Sequence, residues 1–519
     1  MSTFVLNAEL IVGLLVVAAV VSLAAQRLHI PYTVGLVLVG LALTIFGRGS
    51  FPAITSELIL VLLVPPLVFE AAFFLDLDEL RRELPFVLIL TIPGVILTTL
   101  LVGGLVWFAA GLPLLTALVF GAMISATDPV AVVALFRTFG VPKRLQVILE
   151  GESLLNDGTA IVIFNLMLAI ALTGRFDLAH SLGQFIIVAG GGILVGAAAG
   201  IIVSQVIGSI DNYLVETTLT TVLAYGSYLL AEYVLGVSGV LAVVAAGLLS
   251  GKIGPRGMSS TTRIVVFNFW EYAAFLANSF IFLIIGLQID VQRLLNNAPA
   301  ILWGIFAVIA ARAVTIYGLT WFYRRIPTPW KHILFWGGLR GAISLALALS
   351  LAPGLPYHDQ LQAMAFGVVL FTLLVDGLTM QPLIKRTGII QTSSAHYEFE
   401  LRHARAVALR ASQARLAELN RSGLISDYTW QTLRPILSRR AEKMTRELHE
   451  VLEAEPVLHQ EELAQAWREM LQVQRATLIT LYRDHIITDD AYSQLISEVD
   501  LLITGSQGAW PDLEEPKEN

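Results

Sequence analysis

Cysteine is absent from all 519 residues, and Asp, Glu, Lys and Arg together supply only 14% of them. The first absence excludes disulfide bonds, thiolate catalysis and Cys-ligated zinc or iron–sulfur centres. The second separates the chain from ordinary soluble proteins, in which about a quarter of residues are charged. The nine histidines form no HExxH pair, and no Walker-type phosphate loop is present. A net charge of −7 without a basic stripe leaves no footprint for nucleic acid. What remains is apolar: 56% of residues are hydrophobic and the mean hydropathy is +0.74. Runs of that kind, recurring through most of the chain, describe a polytopic membrane protein.

A bilayer core of about 30 Å needs about 20 apolar residues per helix. On that measure thirteen spans are expected, from one beginning near Asn7 to one beginning near Gln362. No basic stretch precedes the first, and a second follows closely, so the first reads as a retained span and not a cleaved signal. The expected class is all-α, with a membrane domain over residues 1–393 and a soluble helical tail over 394–519. Charge supports the division. The first part holds 19 basic and 19 acidic residues, the tail 14 and 21.

Lys and Arg are retained on the cytoplasmic side of short loops. With the amino terminus outside and the carboxyl terminus inside, fourteen basic residues fall in inner loops. Only Arg48, Arg175 and Arg293 fall in outer ones. The tail is then on the cytoplasmic side of the membrane. Within it, Ser426 and Thr488 open two similar stretches and are placed as helix N-caps.

Two cations remain inside apolar spans, Arg312 and Arg340, and intramembrane charges of this kind demand partners. The acids that answer them are Glu70, Asp128, Glu152 and Asp157. Thr127-Asp128-Pro129 places an acid before a proline in mid-span, where a helix break survives only against protein or a watery cavity. Further on, Ser153, Asn156 and Asp157 share one helical face and offer hydroxyl, amide and carboxylate oxygens to a hard cation. Glu152 points elsewhere.

These stretches, with Gly337-Gly338-Leu339-Arg340-Gly341-Ala342 and Gly377-Leu378-Thr379-Met380-Gln381-Pro382-Leu383, resemble the signatures of the NhaP/NHE-type monovalent cation:proton antiporters. The resemblance implies two inverted six-helix repeats with broken crossing helices, a homodimer, alternating access and no cofactor. It implies sodium and proton binding at Asp157, with Asp128, Thr127 and Ser153 completing the sodium site and Asn156 supporting it. Glu70 matches an acidic position near the site in some relatives. Glu152 is expected to pair with Arg312, and Arg340 to neutralise carbonyl ends at the crossing. A regulatory tail docked on the inner loops belongs to the same expectation. Sodium against lithium or potassium stays open, as does a passive cation channel lined by the same acids.

Overall fold

The structure is a computed structural model describing residues 3–28, 31–46, 55–174, 177–210, 212–258, 260–321, 326–352, 354–389, 394–454, 456–484 and 486–505. Arg48, Arg175, Arg324 and Arg325, counted in the loop asymmetry, lie outside the described residues. All regular structure among the described residues is helical. Two compact units divide the chain, Met1–Gln391 and Thr392–Asn519.

The first unit runs α1 Thr3–Leu28, α2 Tyr32–Phe46, α3 Val64–Phe74, α4 Leu77–Ala110, α5 Leu114–Met123, α6 Val130–Phe139, α7 Lys143–Thr173, α8 Leu178–Ile207 and α9 Tyr213–Leu229. It continues with α10 Gly239–Gly257, α11 Ser260–Gln288, the short α12 Val291–Asn296, α13 Ala298–Trp321, α14 Thr328–Trp336, α15 Ala342–Leu349, α16 His358–Phe371 and α17 Gly377–Thr387. Among the described residues, six helices are long and apolar enough to cross a bilayer, and shorter apolar helices accompany them. Three wide turns, at Leu58–Leu63, Leu230–Leu235 and Thr372–Asp376, widen the backbone where hydropathy alone predicts regular helix.

Packing follows side-chain size. With lipid outside, association energy comes from close contact, so small residues gather where helices meet. Gly40 of α2 and Gly286 of α11 lie backbone to backbone, and Thr44 Oγ1 donates to the Leu287 carbonyl at 3.0 Å. A Cβ on Gly196 of α8 would collide with the backbone of Ala242 in α10. The opposite side of α8 leaves Ile186, Ile187, Leu194 and Ile202 largely exposed. Only 17% of its apolar window is buried, against 67% for α11, so these two helices face different surroundings.

Two spans are interrupted. α5 stops at Met123 and α6 begins only at Val130, because Pro129 has no N–H to continue the ladder and suits a helix start. α14 stops at Trp336 and α15 begins at Ala342, across a segment holding Gly337, Gly338 and Gly341. The interruptions are bonded together: the Asp128 N–H donates to the Leu339 carbonyl at 2.8 Å.

The second unit contains α18 Ser394–Arg421, α19 Asp427–Ala454, α20 Pro456–Arg483 and α21 Asp489–Gly505. Ser426 Oγ accepts from the Thr429 N–H at 3.3 Å, and Thr488 Oγ1 from that of Ala491 at 3.4 Å, as capping chemistry predicts. Buried residues here are few, among them Ala406, Leu416, Ala441 and Leu471.

Candidate functional site

Breaking a helix frees carbonyls that apolar surroundings cannot satisfy. Around the α5/α6 break, four side chains supply the missing donors, Ser344 Oγ among them with a long bond of 3.4 Å to the Ala126 carbonyl. Arg340 Nη1 reaches the Ser125 carbonyl at 2.9 Å and that of Ala126 at 3.2 Å. Asn156 Nδ2 donates to the Ser125 carbonyl at 3.1 Å and to Thr127 Oγ1 at 3.0 Å. Ser153 Oγ donates to the Thr127 carbonyl. Arg340 is 1% exposed, and its position at the C-terminal end of α5 places a cation where the helix dipole is negative.

Asp128 occupies the complementary place. Its Oδ1 accepts from the Val130 N–H at 3.0 Å, at the start of α6. The Ala342 N–H, at the start of α15, also faces its carboxylate. Two helix N-termini therefore converge on one acid, the arrangement that best holds a negative charge. Gly341 makes room for it: a Cβ there would fall on the Asp128 side chain.

Asp128 and Asp157 line one cavity of about 90 Å³. Thr127, Ser153 and Glu70 line it as well, so one cavity collects every residue proposed for the sodium site. Asn156, expected to support that site, is not among the lining residues. The sequence reading offered its amide oxygen to the cation, whereas its amide nitrogen turns to the break and Oδ1 has no partner among the described residues. The physical reason is the demand for donors: the Ser125 carbonyl and Thr127 Oγ1 both lie within reach of its amide N–H groups.

Glu152 and Arg312 lie outside this cavity's lining and form a buried ion pair, joined through Arg312 Nη1 and, at 3.2 Å, Nη2. Nη2 also donates to the Leu334 carbonyl of α14 at 2.7 Å. The pair thus ties α7 and α13 to the helix that leads into the second break. Gly338 leaves the space that the guanidinium fills.

Two neighbours of the cavity escaped the sequence reading. Asn278 of α11 lines it, with Oδ1 buried and unpartnered among the described residues. Tyr32 of α2 hydrogen-bonds Asn278 and lies within electrostatic reach of Asp128 and Glu70. An amide within an apolar run was the available signal for Asn278. Tyr32 carried none, since a tyrosine at a span end is ordinary.

The family model "Sodium/hydrogen exchanger, transmembrane" matches residues 12–386. The chain is 44% identical over 395 residues to the Na(+)/H(+) antiporter ApNhaP of Aphanothece halophytica, covering 75% of each. It is 33% identical over 491 residues to the Na(+)/H(+) antiporter NhaG of Bacillus atrophaeus, covering 91% of this chain and 93% of that one. Coverage that large extends beyond the first unit into the tail. Among solved structures, the sodium proton antiporter MjNhaP1 from Methanocaldococcus jannaschii at pH 8 shares the fold, with a TM-score of 0.63 and 23% identity over 74% of this chain and 99% of that one.

Proposed function

The chain belongs to the sodium/hydrogen exchanger family, and on that premise we propose that it exchanges sodium for protons across a plasma membrane by alternating access. The observation that carries the reading is the pair of carboxylates, Asp128 and Asp157, on one buried cavity at the crossing of two broken helices. A carboxylate that holds a cation cannot hold a proton at the same moment. If the site turns between the two faces only when occupied, flow of one ion down its gradient drives the other up, without phosphate energy or a bound cofactor.

Thirteen spans in two inverted repeats, a homodimer in the bilayer, the amino terminus outside and a cytoplasmic regulatory tail complete the proposal. The outward apolar face of α8 supports contact with lipid. Asp157 is the principal titrating group and Asp128 its companion, while Thr127 and Ser153 add neutral oxygens. The residue before Asp157 is the neutral Asn156, so one site charge changes partner in each cycle. Exchange is then one sodium ion for one proton.

Purified protein in liposomes, with a pH dye inside and voltage clamped by potassium and valinomycin, tests this. Sodium and pH gradients that balance at equal ratios at every voltage support one-for-one exchange. A balance point that moves with voltage rejects that stoichiometry. Currents without proton counterflow reject exchange itself in favour of a channel.

A further inference from the structure

α11 runs apolar past the cavity of the two acids, with Ala274, Ala277, Ile281 and Phe282 all buried. One amide interrupts the run. Asn278 is 6% exposed and lines the cavity that holds Asp128 and Asp157. Its Oδ1 has no partner among the described residues, so the hydrogen bond with Tyr32 falls to Nδ2, which donates to the phenolic oxygen. The Tyr32 ring in turn rests on Phe275, one turn before Asn278 on α11, with 5.8 Å between centroids. The amide is thereby held with its nitrogen toward α2 and its oxygen uncommitted.

Burying an oxygen without a donor is costly, and a leucine of similar size at this place avoids the cost. Such atoms are few in native interiors, and each calls for a reason. The place of Asn278 in the fold supplies one. α11 packs on α2 and α3, whereas α5 and α7, which frame Thr127, Asp128, Ser153 and Asp157, pack on α4. The cavity has two walls, with Asp128 and Asp157 on one and Asn278 on the other.

The two ions ask different things of the second wall. One carboxylate oxygen suffices to hold a proton, but a hard cation gathers several oxygens, neutral ones included. An amide oxygen does not titrate, so it adds to cation binding and carries no proton. We propose that Asn278 Oδ1 is a ligand of the sodium ion from the wall opposite Asp128 and Asp157, and that it tilts the competition for the site toward sodium. Tyr32 is its positioning residue. This inference rests on the exchange reading.

Asn278→Leu in the full chain is the test, melted in detergent with sodium chloride against choline chloride at equal ionic strength. A ligand bound only by the folded state raises the melting temperature. Without sodium the variant melts at or above wild type, because an unpartnered polar atom has been removed. Sodium then stabilises it less, with a half-saturating concentration about tenfold higher, the lower end of what one lost polar contact to a charged group costs. In liposomes at fixed, sub-saturating sodium, protons compete more successfully, and the acidic limb of the exchange profile moves up by about one pH unit, tenfold in protons for tenfold in sodium. Tyr32→Phe, which removes the acceptor for Nδ2, gives a smaller shift in the same direction. Asn278→Asp keeps an oxygen in place and stays nearer wild type than Asn278→Leu. An unchanged sodium response in Asn278→Leu, whatever its stability, makes Asn278 a packing residue and overturns the proposal. Wild-type protein that sodium stabilises but that moves no protons contradicts the exchange reading instead, while the melting series still decides the ligand, so the two failures are distinguishable.

Discussion

The two broken helices of the first unit meet the same requirement with opposite charges. The α5/α6 break is made by proline and presents an acid, Asp128; the α14/α15 break is made by glycines and presents a base, Arg340. Each charge serves the other's helix ends. Asp128 faces the starts of α6 and α15, and Arg340 covers the carbonyls that α5 leaves behind. The difference lies in what is left over. Arg340 is 1% exposed and spends Nη1 on backbone, whereas Asp128 also faces a cavity it shares with a second acid. One break opens its acid onto a cavity, and the other closes its base onto backbone.

The strongest way to break that contrast is to neutralise each side. Asp157→Asn and Asp128→Asn remove the titrating oxygens with almost no change in shape, so sodium-driven proton movement in liposomes falls to background while the melting temperature in detergent holds. Exchange near the wild-type rate in the Asp157→Asn protein would show that the cavity acids are not the carriers.

Next in size is the anchor of the second break. Glu152→Gln or Arg312→Gln leaves one buried charge unpaired, at a cost of about 3–5 kcal/mol. Neutralising both recovers part of the loss. A double-mutant cycle on thermal unfolding measures the coupling, and additive losses would separate the pair energetically.

Arg340 gives a smaller loss of a different kind. Arg340→Gln removes the charged donor from the Ser125 and Ala126 carbonyls, which keep only Asn156 and, at 3.4 Å, Ser344, at a cost of about 1.5–3 kcal/mol for a lost hydrogen bond to a charged group, read as a lower melting temperature. Added sodium does not restore it, because the lesion is in closure and not in the cavity. If instead the variant keeps its stability and loses only sodium affinity, both breaks bind and the contrast fails.

How much of this was legible follows the same line. Proline after an acid in mid-span announces a break, and Ser153 with Asp157 announces a polar face; both are local patterns. The Glu152–Arg312 pair was expected through the family resemblance, and buried charges demand such partners in any case. What stayed hidden was direction. Asn156 could face the cavity or the break, and only the unsatisfied carbonyls of the other helix decide between them. The wide turns at Leu230–Leu235 and Thr372–Asp376 were hidden too, since they change backbone hydrogen bonding without changing hydropathy. Asn278 was visible but unassigned, because an isolated amide does not say which helix it will meet.

The smallest effect sharpens the contrast from the surface. Asp76 does for α4 what Asp128 does for α6 and α15, but in water: its Oδ1 accepts from the N–H groups of Asp78 at 3.1 Å and Glu79 at 3.2 Å, and Oδ2 from Lys143 at 2.7 Å. The Lys143 hydrogen bond is the main reason its carboxyl sits below the ordinary carboxylate range; burial opposes it, and the Glu79 and Asp78 N–H groups and the Lys143 charge add to the lowering. A lowered folded-state pKa stabilises above the unfolded value and ceases to as pH falls through the folded one. Asp76→Ala loses the cap, about 0.5–2 kcal/mol. Asp76→Asn keeps a capping oxygen and loses only the ion pair, an exposed one of about 0.2–1 kcal/mol. The Asn variant therefore melts slightly below wild type at neutral pH, and the gap closes as the medium is acidified below the carboxylate range or as salt is added. Melting curves at neutral and acid pH, at low and high salt, measure both. A gap that widens on acidification would mean that Asp76 acts protonated, and the resemblance between the surface acid and the buried one would be lost.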